Sequence, residues 1–108
     1  MIAIKITEGW SERIPVRLYR DGVPFNYPSY GFTFAGLVIH DKNGSEVSLQ
    51  GTSGEAAPST GDVYYDPDPG GEFLNVLEPY RVRAHLTKAG RDAYVPNDAG
   101  LPMRVSKI

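Results

Sequence analysis

Tyr80 to Gly100 reads YRVRAHLTKAGRDAYVPNDAG, and the reading of this stretch decides the fold. Tyr80, Val82, Ala84 and Leu86 fall on one side of a two-residue period, with Arg81, Arg83, His85 and Thr87 on the other. That alternation is the signature of a strand with one face in a core and one in water. Lys88, Ala89 and Gly90 then turn the chain toward a return segment, Asp92 to Val95. In the tail, VPNDAG, Val95 packs inward, Pro96 stiffens the exit, and Asn97, Asp98 and Gly100 favour a turn. The run is read as a structural corner, with contact to a partner secondary, that takes Leu101, Met103 and Val105 into the last sheet position.

Working outward, the same period recurs. Ile2, Ile4 and Ile6 face one way and Ala3 and Lys5 the other, a first strand; Ile14, Val16 and Leu18 form a second. Pro15 within it points to an edge or a strand start, where a missing amide is tolerated. Arg20 to Pro24 is a turn built on Asp21-Gly22, and FNYPSYG after it runs irregularly over one end of the fold. Phe32 to His40, FTFAGLVIH, is long enough for a short buried helix, but its aromatic and β-branched content favours a strand. Uninterrupted alternation there puts Phe32 and Phe34 on one face and Thr33, Ala35, Leu37 and Ile39 on the other, with Gly36 a candidate bulge. DKNG, Asp41 to Gly44, followed by EVSLQ with Val47 and Leu49 inward, is the strongest hairpin signal in the chain. Gly51 to Thr60 has no periodic face and reads as a loop, a candidate for mobility. Val63 and Tyr65 mark a short strand closed by two Asp-Pro pairs, and Phe73 and Leu74 return to the core.

These segments describe an all-β chain, an antiparallel β-sandwich or small barrel, in one domain spanning 1–108. Nine prolines and twelve glycines oppose long helices. At this length about 60–70% of the extended-chain surface is buried on folding, enough for a core without staples. The absence of cysteine excludes disulfides, thiolate catalysis and cysteine metal sites, and leaves the redox compartment open. No apolar run is long enough to span a bilayer, and the first residues lack the pattern of a secretory signal, so membrane insertion is not expected. Eleven basic against thirteen acidic residues, net charge −2, give no global field for nucleic acid.

Few constellations suggest chemistry. His40 and His85 are the only histidines, and His40 next to Asp41 at a turn is a local pair rather than part of a triad; no GxSxG elbow is present. Asp62, Asp66, Asp68 and Glu72 are the densest carboxylates, but their spacing is not a calcium loop and turn-forming Asp-Pro explains most of them. No catalytic residue, metal or cofactor is expected. Tyr27, Tyr30 and Tyr64 can serve as contact anchors or as core and rim packing. Trp10 is read as capping one end of the core, with a contact role as the other reading, and Arg81 and Arg83 as an outward polar rim.

IPVRLYRDGVPFNYP together with the stretch from Gly61 to Ile108 resembles small immunoglobulin-like structural proteins of tailed bacteriophages or prophages, similar to the N-terminal domain of baseplate upper proteins. Ile14 to Leu18 match the second strand of that family and Asp21, Gly22, Val23 and Pro24 its turn. Gly61, Val63 and Tyr65 match the middle motif, Tyr80 and Val82 open the long strand, and Val95, Pro96 and Asn97 match the corner. The elaborate DPDPGGEFLNVLEPY departs from the family's compact approach to the long strand. The resemblance implies an immunoglobulin-like antiparallel β-sandwich without catalytic residues. It further implies a structural or adaptor module of a tail, baseplate, capsid or fibre, whose partners are other phage structural proteins or copies of itself. Its location would be the virion, or the bacterial cytoplasm when expressed from a prophage. The candidate contact residues are Trp10, Tyr27, Tyr30 and Tyr64, with Arg81 and Arg83 beside them. A carbohydrate- or cell-surface-binding module, using the same aromatics to stack on sugar rings, is the alternative.

Overall fold

The computed structural model describes residues 4–67, 72–96 and 100–107; the expectations for Ile2, Ala3, Asp68, Pro69, Gly70, Gly71, Asn97 and Asp98 lie outside the described residues. Among the described residues ten strands follow in chain order: β1 (Ile4–Thr7), β2 (Ile14–Arg17), β3 (Tyr19–Arg20), β4 (Val23–Pro24), β5 (Thr33–His40), β6 (Thr52–Ala57), β7 (Asp62–Asp66), β8 (Tyr80–Lys88), β9 (Arg91–Val95) and β10 (Leu101–Ser106). Three short 3-10 turns, Tyr27–Tyr30, Pro58–Thr60 and Asn75–Leu77, interrupt them. β1, β10, β8 and β5 lie in that order in one sheet, with β9 also on β8; β2, β7 and β6 form a second, and β3 and β4 a hairpin. The chain is therefore a small, mostly-β domain of several sheets, antiparallel except where β1 runs parallel to β10.

β8 is the spine. Tyr80, Val82, Ala84 and Leu86 are buried as their alternation requires, and meet Ile14, Val16, Val63 and Tyr65 of the second sheet in one core. Met103 and Val105 join from β10. Each such side chain contributes about 1.5–3 kcal/mol on burial, whereas exposed ion pairs contribute little, so the facing apolar layers hold the fold. The polar ends of the buried tyrosines are satisfied: the Tyr80 hydroxyl accepts the Leu74 N–H at 2.8 Å, and Tyr65 donates to Glu72 at 2.5 Å while accepting the Gly51 N–H at 2.8 Å.

Several expectations are corrected. Leu101 to Val105 do enter the sheet as its last strand, β10, but on the side of β8 that β9 already occupies, Val95 opposite Ala84 and Leu101 opposite Val82. Six steps of chain from Val95 to Leu101 face two along β8, so β9 and β10 continue a single lane, with Pro96 following β9 and Gly100, at φ +90°, preceding β10.

Phe32 and Phe34 pack against the same core as Leu37 and Ile39 rather than facing away from them. Phe34 opposes Leu86 and Gly36 opposes His85, so Ala35 is one extra residue. A bulge of one residue flips the parity of everything beyond it. Gly36, at φ +135°, supplies the backbone conformation for that shift.

The hairpin after β5 is a stub. Asp41 Oδ1 accepts the Asn43 and Ser45 N–H groups, the Val47 N–H reaches the Ile39 carbonyl, and His40 bridges Glu46, but no ladder follows. Val47 and Leu49 still lean on the core as the chain crosses to the second sheet. The expected loop at Gly51 to Thr60 is largely strand β6, paired to β7. Its Gly54 is explained by Tyr64, whose ring lies where a Cβ on that residue would stand. Leu74, expected in the core, is 41% exposed, while Phe73 is buried. Leu74 instead contributes its backbone, through the hydrogen bond to Tyr80.

Candidate docking surface

The two sheets meet differently along their two sides. On the side of β5 and β6, the Leu37 N–H donates to Ser53 Oγ at 3.3 Å and ties the layers together. On the opposite side, β1 and β10 stand off from β2 and β3. An open cleft of about 740 Å³ lies between them, lined by Ile4, Val16, Leu18, Pro96 and Leu101, with Arg17, Asp62 and Tyr19 at its margin.

A second groove, about 670 Å³, shares Tyr19 and Pro96 with the first and continues it along β9. Tyr19, Arg20, Asp21, Phe25 and Phe32 form one wall; Arg83, Asp92, Ala93, Tyr94 and Val95 form the other. The β3–β4 hairpin that supplies the first wall turns on Asp21 (φ 53°) and Gly22 (φ 78°), the pair of positive φ values a two-residue hairpin loop requires.

Aromatic rings and cations alternate around this groove. The Arg20 guanidinium lies 4.8 Å from the Tyr30 ring centroid and 5.7 Å from that of Phe25, and Lys88 Nζ lies 5.3 Å from that of Phe32. On the far wall, the His85 ring stacks on Tyr94 with centroids 4.9 Å apart, Arg83 stands 5.7 Å from the Tyr94 centroid, and His85 Nε2 contacts Asp92 at 2.8 Å. Arg83 Nε is buried without a hydrogen-bond partner. Tyr19 and Tyr94 are each 39% exposed and Tyr30 50%. Such a surface offers ring faces for packing and guanidinium or ammonium groups for carboxylates.

The candidates from sequence are distributed as follows. Tyr30 and Arg83 belong to this surface. Tyr27 does not: it is fully buried, with its hydroxyl donated to Glu55, and is a core residue. Burial, then the Glu55 carboxylate, pushes its phenol upward. Tyr64 lies on the outer face of the second sheet, with the Arg13 guanidinium 3.6 Å from its ring centroid. Trp10 is half-buried against the core, in keeping with a cap, and its Nε1 has no partner. Arg81 lies outward on β8 between His40 and Pro102, away from the groove.

The carboxylates are occupied by structure. Asp62 accepts a forked pair of bonds from Arg17 at 2.6 and 2.9 Å and one from Thr60, which hold its pKa down at about 2. Asp66 is bound likewise by Arg13, at 2.8 and 3.0 Å, and is lowered for that reason. Glu72 accepts from Tyr65 and from the Gln50 N–H. Asp41 is committed to its own turn rather than to His40.

Tyr19, Arg20 and Tyr94 are central to the surface and were not singled out from sequence. Tyr94 was within reach: across a hairpin turning at Ala89-Gly90 it pairs with the outward His85, so its outward direction follows from parity. Tyr19 and Arg20 became visible only through the position of their hairpin. The chain matches no family model, no curated protein and no solved structure.

Proposed function

We propose that this domain is a non-enzymatic docking module, an immunoglobulin-like β-sandwich that joins components of a bacteriophage or prophage particle. One observation carries the docking reading. Of the six exposed large hydrophobic residues among those described, Tyr19, Val23, Tyr30 and Tyr94 sit on the elements that surround the paired grooves. Tyr and Arg are the residue types that dominate binding energy at protein interfaces. Strand order supports the fold assignment: β2–β7–β6 and β5–β8–β9/β10 correspond to the B–E–D and C–F–G strands of an immunoglobulin-like domain. The particle assignment rests on the sequence resemblance alone, and its motif residues fall in strands as that resemblance implies. Ile14 and Val16 lie in β2, Val63 and Tyr65 in β7, and Tyr80 and Val82 in β8.

The test is co-expression with the products of the genes flanking its own, followed by sedimentation of the purified species. A complex that forms with the unaltered chain and dissociates with the Tyr19→Ala/Tyr94→Ala double variant is the expected result. A chain that stays monomeric with each product, yet binds a glycan array through Tyr94, would establish the carbohydrate-binding alternative instead.

A further inference from the structure

β9 and β10 share one lane beside β8, but only half of that lane is covered. β1 pairs with β10 from Met103 to Ser106, whereas among the described residues no strand pairs with the outer edge of β9. A strand with one open edge presents unpaired N–H and C=O groups to any extended chain laid beside it. Edges are commonly guarded by charged side chains, lysine above all, or by proline within the strand; β9 has no lysine or proline, its charges, Arg91 and Asp92, stand at its first two positions, and Ala93 to Val95 are uncharged, with Pro96 after its end. The mixed groove runs along this open edge, so backbone pairing and side-chain contact are available in one place.

We propose that a partner chain adds an extended segment along β9, with apolar residues alternating with acidic ones. The inference rests on the docking reading above and names the form the docked segment takes. The period follows from the walls. One side of an added strand meets Phe25, Phe32 and Ala93, and the other meets the outer sheet face with Arg83 and Tyr94. The acidic preference follows from charge. Arg20, Arg83 and Lys88 lie over rings, and none is in an ion pair among the described residues; of the two carboxylates lining the groove, Asp92 already engages His85, which leaves three cations against Asp21 alone. Beside β9 a five-residue segment spans about 16 Å, and main-chain bonds supply affinity while alternate side chains supply selectivity.

The experiment uses the full chain, labelled with nitrogen-15, and two blocked seven-residue peptides, one alternating Glu with Val and one alternating Lys with Val. The Glu peptide is expected to shift the amide signals of Arg91 to Val95 and slow their exchange with solvent, binding about tenfold more tightly than the Lys peptide. Arg83→Gln, at the cation that the acidic side meets, should abolish that preference, and Arg20→Glu/Lys88→Glu, which alters only exposed groups, should reduce it through the local field. Equal binding of the two peptides, protection elsewhere in the chain, or no saturable binding of either would overturn the proposal. The two readings separate cleanly. A particle-protein complex that depends on Tyr19 and Tyr94 but leaves the β9 amides unprotected removes strand addition and keeps docking. Protection of β9 by the Glu peptide, with no such complex, keeps the edge site and removes the particle role.

Discussion

Tyr27, with none of its surface exposed, donates its hydroxyl to Glu55 on β6 and so ties the turn that follows the β3–β4 hairpin to the outermost strand of the second sheet. Glu55 faces Val63 across the pair, which directs a carboxylate inward from an edge strand. An inward charge on an edge is one of the devices that discourages edge-to-edge pairing. Replacing Tyr27 with Phe keeps the ring and leaves that carboxylate short of a donor. The expected loss is about 1–3 kcal/mol, read from urea unfolding. Glu55→Gln retains an acceptor and should cost less; equal losses would show that the bond depends entirely on the charge.

Alkaline pH should destabilise the fold. Burial is the first cause that raises the phenols of Tyr27, Tyr65 and Tyr80, with nearby carboxylates adding to it. Below the unfolded value of about 10 these groups are neutral in both states. As pH rises past it, the unfolded chain ionises first and stability falls until the folded values are reached. In an absorbance titration at increasing pH, these three tyrosines should ionise together with loss of the near-ultraviolet dichroism. Their ionisation with the fold intact would contradict the assignment.

Acid has the complementary effect. Asp62, Asp66 and Glu78 are held low by Arg17, Arg13 and Arg104, so the stabilisation is present above the ordinary carboxylate range and is lost as pH falls through the lowered values. For Asp62 that window runs from about 4 down to about 2. Asp62→Asn should flatten the fall in melting temperature in this range and leave stability near neutrality only slightly reduced, because the pair is solvated. An unchanged acid profile would place the acid sensitivity elsewhere.

Two glycines of similar backbone conformation should respond differently to alanine. Gly22, φ +78°, has open space where a Cβ would stand; Gly61, φ +73°, would bring one to 2.7 Å from the Leu18 carbonyl oxygen and 2.8 Å from that of Phe25. Gly22→Ala carries the conformational cost alone, about 1–2 kcal/mol. Gly61→Ala adds steric displacement of two backbone segments and should exceed it clearly in chemical denaturation. Similar losses would mean that the segments around Leu18 and Phe25 yield freely.

Removing Ala35 tests the bulge. The deletion makes β5 regular while keeping Phe34 opposite Leu86 and Leu37 opposite Ala84, so Phe32, Phe34, Leu37 and Ile39 all stay on the core face. We expect a loss within about 1 kcal/mol in urea unfolding, with Ala35→Ser, at an exposed position, nearly neutral. A loss of roughly 2–4 kcal/mol on deletion would show that the phenylalanines have left the core and that Ala35 is not the extra residue.

Period-two alternation made β2, β7, β8 and the inward face of β10 readable, because a strand with one dry and one wet face must write that difference into every second residue. The turns at Asp21-Gly22 and Ala89-Gly90 were readable for an equally local reason, since few residues adopt positive φ. β6 was not: a ring on the neighbouring strand selects its Gly54, since Tyr64 lies over it, a contact between residues ten apart that leaves no period behind. The parity flip in β5 depended on one extra residue that only the pairing with β8 reveals.

The candidate surface divides in the same way. Sequence by itself determined the two-faced strands, the sharp turns and a chain without cysteine. Tertiary structure alone decided that Tyr27 is core and Tyr30 surface, that Tyr19 and Arg20 stand opposite Tyr94 and Arg83, and that β9 keeps an open edge. Burial along one strand is a local property, repeated every two residues. The meeting of β3 and β9, far apart in the chain, is set by how whole sheets stack, and no single segment encodes it.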